Sequence, residues 1–159
     1  MSGCSPGIPG SGVSFAEGKR QVAAIVDGTF EAVLSEFAAR RFPENAVLCR
    51  GARGAGVAKG DYAPNGALEF EVPRGQVRKL VEKVRDYWDK QGYRSIQVVP
   101  QGEAVFAQTD GYRLSFAIDP KPGDDTLARA TLGAGGPCAK PKDEEERKEP
   151  PNFRSVEDR

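Results

Sequence analysis

Histidine is missing from this chain of 159 residues. It is the commonest general base, the commonest metal ligand and the side chain that titrates nearest to neutral pH. Its absence argues against serine, cysteine and zinc hydrolases, which usually depend on it. The chain also has no apolar run as long as a membrane-spanning helix. We therefore expect no transmembrane helix, no metal site and no cofactor.

The chain also has no excess of positive or negative charge. Lys and Arg number 23, Asp and Glu number 23, and the formal net charge is zero. Basic residues are interleaved with acidic ones, so no basic patch suited to nucleic acid is evident. We predict a protein that does not bind nucleic acid, and a chain of this length predicts one domain. We also expect it to be a monomer.

Cysteine occurs three times, as Cys4, Cys49 and Cys138. Ser2-Gly3-Cys4 has the small-small-Cys order of a bacterial lipobox, with Met1 at the usual position of Leu, as in a trimmed chain. Lipidation of Cys4 would tether an exported protein to the outer face of the plasma membrane. The alternative is an unmodified thiol.

Pairing of the other two cysteines follows from the odd count. With Cys4 in the lipobox position, Cys49 and Cys138 remain to form a disulfide. They lie about 90 residues apart, and closing such a loop stabilises by about 4 kcal/mol in the chain-entropy model. The alternative is two buried free thiols in a cytosolic protein.

Periodicity predicts two helices. Apolar residues recur every three or four positions over residues 17–40, which predicts a helix that Pro43 ends. Gly28 interrupts this stripe, and we expect it to pack closely against a neighbour. A second stripe follows Pro73, and Gly92 stands where a helix C-terminus favours glycine.

Alternation predicts the strands. Residues 46–58 begin as a strand and become glycine-rich, and we expect them to pair as a hairpin with residues 68–72 across a turn at 61–66. Four later segments predict a meander with a tight turn at Asp110 and Gly111. These segments are residues 93–99, 103–109, 112–118 and 126–133.

The order of elements indicates the fold class. Strands joined by short turns run antiparallel, and two helices with one apolar stripe each can cover one face of their sheet. We predict an α+β fold with two helices packed on one face of an antiparallel sheet, in the order helix, hairpin, helix, meander. The domain spans 17–139, between a flexible tether at 1–16 and a charged, disordered tail at 140–159.

Three segments resemble a known class of proteins. Tyr87-Trp88-Asp-Lys-Gln-Gly92-Tyr93, Asp110-Gly111-Tyr112 and the closing Gly136-Pro-Cys138 are similar to segments of small lipoproteins of actinobacteria and their phages, mostly of unknown function. The resemblance covers roughly residues 18–139. It implies a lipid anchor, a disulfide and an α+β fold, and it implies no catalytic residue.

Arg50 and Arg53 stand in a glycine-rich stretch whose backbone amides could hold a phosphate. The stretch lacks the Gly-Lys-Ser/Thr ending of a nucleotide-binding loop, so we interpret it as a flexible strand or loop with a weak preference for anions. Both arginines are candidate contacts for a partner.

Acidic residues cluster in two places. Asp119, Asp124 and Asp125 share one turn without the spacing of a calcium loop, so turn chemistry explains them. Glu69 and Glu71 share one strand face, as a carboxylate-only enzyme would need. Exposed charges on an edge strand, which discourage aggregation, explain the pair more simply.

Aromatic side chains gather around the second helix and the meander. Helical spacing places Trp88 in the core, whereas Tyr87 and Tyr112 are the aromatic candidates for a binding surface. Tyr93 belongs to the same group.

The sequence indicates where the protein works more sharply than what it does. We expect a secreted, lipid-anchored binding protein of the cell envelope without catalytic activity, which contacts an envelope or phage protein in cell-surface interaction or superinfection exclusion. One alternative is a carrier of a small apolar ligand or lipid held between helices and sheet. The other is a carboxylate-only enzyme.

Overall fold

The computed structural model describes residues 13–41, 46–49 and 61–148. These residues form three α-helices and eight strands, with a short 3-10 helix at Arg74–Gln76 before the second α-helix. In chain order they are α1 (Phe15–Val33), β1 (Arg40–Arg41), β2 (Val47–Leu48), β3 (Tyr62–Ala63), β4 (Asn65–Pro73), α2 (Val77–Lys90), β5 (Arg94–Val98), β6 (Ala104–Thr109), β7 (Tyr112–Pro120), β8 (Leu127–Gly135) and α3 (Glu144–Lys148).

Six strands form one antiparallel sheet in the order β1, β4, β8, β7, β6, β5. Strands β5 to β8 are the predicted meander. Strand β4 lies beside β8 and pairs with it over nine residues, from Asn65 opposite Gly135 to Pro73 opposite Leu127. Strands β2 and β3 form a small second sheet. The predicted α+β fold class is confirmed.

The two long helices pack on the same face of the six-stranded sheet. Helix α1 contacts β4 and β8, and α2 contacts β5, β6 and β7. The inward side chains of β7, which are Tyr112, Leu114, Phe116 and Ile118, are 7% exposed or less. The core therefore lies between the helices and this face, as the alternation on β7 predicts.

Helix α1 ends earlier than the sequence predicts. Its start is capped by Ser14, whose Oγ accepts from the N–H of Glu17 at 3.0 Å. The helix ends at Val33, well before Pro43, so the prediction that it reaches residue 40 is wrong. Phe37 belongs to the turn that follows, and its ring stacks on Phe70 with centroids 5.6 Å apart. An apolar residue can therefore continue the stripe and reach the core without being helical.

The predicted hairpin has different partners. Strand β2 pairs with β3, with Val47 opposite Ala63, and not with residues 68–72. The turn expected at 61–66 contains β3 and the start of β4. The partner of β4 on that side is β1, with Arg40 opposite Glu69. The glycine-rich residues 50–60 lie outside the described residues.

The predicted disulfide between Cys49 and Cys138 is confirmed, with a Cα–Cα distance of 6.2 Å. Beside it, Tyr62 N donates to Ala139 O at 2.8 Å and Ala139 N donates to Tyr62 O at 2.9 Å. The segment that follows β8 is thus fixed to the β2–β3 sheet. Such a crosslink is typical of proteins outside the cytoplasm.

Helix α2 confirms the predicted apolar stripe. Leu80, Val81, Val84 and Trp88 are buried, and Trp88 is 0% exposed, as its helical spacing predicts. Gly92 ends the helix with φ +80°, a conformation that favours glycine. Trp88 Nε1 donates at 3.0 Å to the hydroxyl of Thr29, which links α2 to α1.

The ends of the chain are described in part. Of the predicted tether only residues 13–16 are described, and α1 already begins at Phe15. Of the predicted tail, residues 140–148 are described and include α3. Lys19 Nζ donates to the carbonyl of Glu146 at 2.9 Å, so this part of the tail contacts α1. Within the described ranges no helix combines the length and apolarity needed to cross a bilayer.

Candidate binding surface

The sheet face opposite the helices contains a depression, which we call the trough. Its centre is a cross-strand row formed by Ala67 on β4, Gly133 on β8, Ser115 on β7 and Phe106 on β6. The depression measures about 400 Å³. That volume lies within the range of about 300–1,000 Å³ that is usual for small-ligand sites.

Small residues make the floor of the trough. Ala67 is 2% exposed although it points away from the helices, and Gly133 is buried as well. A Cβ at Gly133 would lie 3.2 Å from the carbonyl oxygen of Gly66, so a larger residue would not fit without a shift. Phe106 stands at the rim and is 42% exposed. The floor is therefore shielded and the aromatic rim is open to solvent.

Among the described residues, Arg113 is the only charged one that lines the trough. It lies opposite Gln108 on β6, which in turn lies opposite Arg94 on β5, so a second arginine occupies the same row. Within the described part of the chain Arg113 has no carboxylate within ion-pair distance. This side of the trough is therefore cationic.

Charges on the other side of the trough are paired. Glu69 lies 2.6 Å from Arg40 and 3.8 Å from Arg129, measured between oxygen and nitrogen. Glu71 is paired with Lys121. Neither glutamate lines the trough. The Glu69 side chain is only 12% exposed, and β4 lies between β1 and β8 rather than at the sheet edge. The expectation of exposed edge charges is therefore wrong for Glu69, whose role here is to pair with arginines across neighbouring strands.

A second cleft, of about 340 Å³, lies where the start of α2 meets the β5–β6 turn and the end of β7. Its two arginines serve the fold. Arg74 Nε donates to the carbonyl of Leu127 at 3.0 Å, and Arg78 Nη2 donates to that of Gln101 at 3.2 Å. The acids Glu103 and Asp119 also line it, so this cleft has no excess charge to select a ligand.

The predicted aromatic contacts lie away from the trough. Tyr112 is 7% exposed, and its burial, with smaller effects from Glu17 and Asp110, raises the pKa of its hydroxyl. Tyr87 is half-buried against the core, and its hydroxyl is 3.7 Å from where a Cβ of Gly28 would stand. This is an ordinary contact distance, so the packing at Gly28 leaves room for a Cβ and is not as close as expected. Tyr93 is also half-buried, and burial raises the pKa of its hydroxyl.

Three predicted site residues lie outside the described residues. They are Cys4, Arg50 and Arg53. Their predicted roles in lipidation and partner contact stay predictions.

The acidic turn has the hydrogen bonds of turn chemistry. Asp124 Oδ1 accepts from the N–H of Thr126 at 2.8 Å, from its hydroxyl at 2.9 Å and from the N–H of Leu127 at 2.9 Å. The bonds from Thr126, and then that from Leu127, lower the pKa of the Asp124 carboxyl. Among the described residues no three His, Cys, Asp or Glu side chains are grouped as a metal site would need.

The layer between helices and sheet is filled by side chains. Trp88, Phe30, Phe116 and Leu132 are 0–1% exposed, and Phe30 meets Phe70 edge-on with centroids 5.5 Å apart. The trough lies on the far side of the sheet, and the second cleft lies at one end of this layer. The packing weighs against a carrier that encloses an apolar ligand there.

Sequence reasoning missed the trough. One signal was present, because the alternation of β6 puts Phe106 on the face opposite buried Val105 and Ala107. The rest depends on which strands are neighbours, since Ala67 and Gly133 come together only through the β4–β8 pairing. Comparisons of the chain with protein-family models, curated proteins and solved structures found no match.

Proposed function

We propose that this chain is a non-catalytic binding protein that acts outside the cytoplasm, anchored to the outer face of the plasma membrane through Cys4. Binding rests on one observation above all, which is the trough with an exposed aromatic rim and an arginine without an ion-pair partner among the described residues. Exposed aromatic and arginine side chains are the residues most enriched where proteins contact partners.

The location outside the cytoplasm is supported by the disulfide between Cys49 and Cys138. The lipid anchor is supported by the Ser2-Gly3-Cys4 motif. With such an anchor the domain would meet envelope components, whether proteins or wall polymers, and incoming phage. A role in superinfection exclusion would use the same binding surface.

Mass spectrometry of the protein from its native cells tests the location. We expect an acyl modification on Cys4 and no alkylation of Cys49 or Cys138 unless a reductant is added. An unmodified Cys4 together with two freely alkylated thiols would refute the location.

Retention on isolated cell envelopes tests the binding role. The oxidised full chain without its acyl group should be retained, and Phe106→Glu should be released because a charge then occupies the aromatic rim. Gln91→Glu adds the same charge at the exposed C-terminal end of α2 and should be retained like the unsubstituted chain. Equal retention of both variants, or no retention of the unsubstituted chain, would refute the proposed surface.

A further inference from the structure

We propose that the trough binds an acidic saccharide, with the carboxylate of the sugar paired to Arg113 and one face of its ring on Phe106. This inference names the ligand class of the proposed binding function and rests on that function. Three features of the trough carry it, which are its charge, its aromatic rim and the hydroxyl and amide groups along its walls.

Charge selects an anion. Arg113 is the one charged residue that the described part of the chain contributes to the lining, and Arg94 adds a second guanidinium in the same cross-strand row, on the far side of Gln108. The nearest paired acid on the face, Glu69, is already neutralised by Arg40 and Arg129. A guanidinium offers a planar fork of donors that fits both oxygens of a carboxylate.

The aromatic rim selects a ligand with a flat, weakly polar face. The face of an aromatic ring is electron-rich, and C–H groups of a sugar ring carry partial positive charge, so the two stack favourably. Phe106 is 42% exposed, which leaves part of its ring free for such a contact. A simple inorganic anion would gain nothing from this ring.

The polar walls fit hydroxyl groups. Ser115, Thr131 and Asn65 line the trough, and each of their side chains can both donate and accept hydrogen bonds. Sugar hydroxyls have the same double capacity. An extended peptide usually binds along a free strand edge through its backbone, whereas the trough lies on the face of paired strands β4, β8 and β7. These features favour a saccharide over a peptide.

The experiment uses the oxidised full chain with matched acid and neutral ligands. The probes are a galacturonate trimer with its methyl ester and a hyaluronan tetrasaccharide with its methyl ester. In NMR titrations we expect at least one of the acids to change the backbone amide chemical shifts of β6, β7 and β8 around the trough. Esterification should weaken binding about tenfold or more, as expected for loss of a charge-assisted pair.

Two substitutions and one matched control locate the site. Arg113→Gln should weaken binding of the acid about tenfold and largely remove the difference between acid and ester. Phe106→Ala should weaken both ligands alike, by about fivefold. Arg129→Gln removes a charge from the same face outside the trough and should change the dissociation constant by less than about twofold.

Several outcomes would overturn the inference. It fails if neither acid shifts the trough amides, if the esters bind as tightly as the acids, or if tripolyphosphate binds with equal affinity through the same residues. If envelope retention still requires Phe106 while no saccharide binds, the ligand class is wrong and the proposed function stands. If the native protein is cytosolic with free thiols, the proposed function itself fails.

Discussion

The hydrogen bond between Trp88 and Thr29 predicts a stability change of known sign. Trp88 is 0% exposed, and its Nε1–H has the Thr29 hydroxyl as partner at 3.0 Å. That hydroxyl donates in turn to the carbonyl of Ile25 at 2.9 Å. Thr29→Val keeps the shape of the side chain but leaves the indole N–H buried without a partner.

The expected cost follows from the asymmetry of hydrogen bonding. A buried donor that loses its acceptor costs about 1–3 kcal/mol. The carbonyl of Ile25 also loses the Thr29 hydroxyl as a donor. It still accepts a backbone N–H within the helix, so the loss of the hydroxyl adds little to the cost. We therefore expect Thr29→Val to lower the free energy of unfolding by about 1.5–2.5 kcal/mol.

A double-mutant cycle isolates this term. Trp88→Phe removes the donor, so Thr29→Val made in the Trp88→Phe background should cost less than about 0.5 kcal/mol. Urea unfolding followed by far-UV circular dichroism measures all four chains without relying on tryptophan fluorescence. A coupling energy below about 0.5 kcal/mol would refute the assignment of a stabilising buried bond.

Four further substitutions and conditions test the fold. Gly28→Ala should stabilise by about 0.5–1 kcal/mol, because its Cβ meets only an ordinary contact at 3.7 Å. Gly18→Ala should destabilise, because its Cβ would be 3.0 Å from the side chain of Pro64. In thermal scans the melting temperature should therefore rise for Gly28→Ala and fall for Gly18→Ala. Cys49→Ala with Cys138→Ala should lower the urea midpoint, with about 4.5 kcal/mol as the upper limit for an 89-residue separation. Hydrogen bonds lower the pKa of the Asp124 carboxyl below its usual value of 3.8, so the carboxylate stabilises the fold above about pH 4 and ceases to do so as the pH falls through the folded-state pKa. Asp124→Ala should therefore be less stable than the parent above about pH 4 and should lose this deficit at lower pH; a deficit in urea unfolding that stays constant to about pH 2 would contradict this.

Periodicity predicted the elements that bury one face. The alternation of Leu114, Phe116 and Ile118 and the stripe of α2 depend on local spacing and on burial, which a sequence displays directly. The disulfide was predictable by counting, since one of three cysteines had a separate interpretation. These signals sufficed for the fold class.

Pairing between distant strands was not predictable in the same way. Strands β1, β2 and β3 have two residues each, too few to show any alternation. Arg40 is in a strand because β4 offers it a partner in Glu69, not because of its own propensity. The end of α1 was also misplaced because of a contact between distant residues, since Phe37 reaches the core from a turn and stacks on Phe70.

Predicting the trough requires both the local alternation of side chains and the pairing of distant strands. Its rim residue Phe106 was visible as an aromatic on the wet side of an alternating strand. Its floor was not visible, because glycine in a strand indicates a bulge or a close approach without saying to what. Here the approach is that of β4, whose Gly66 oxygen would lie 3.2 Å from a Cβ at Gly133.

The residues of the trough differ in whether the fold requires them. Gly133 is explained by close packing of β4 on β8, so substituting it would change stability and binding together. Phe106, which is 42% exposed, and exposed Arg113 lie on a face that the two long helices do not cover. Within the described residues Arg113 has no ion pair that would hold it in place. Arg113→Gln should change the free energy of unfolding by less than about 0.5 kcal/mol, as exposed sites usually do, and Phe106→Ala by about 1 kcal/mol at most, because this residue is 42% exposed. A larger loss in urea unfolding would mean that these side chains serve the fold, and the argument for a ligand at the trough would then lose its main support.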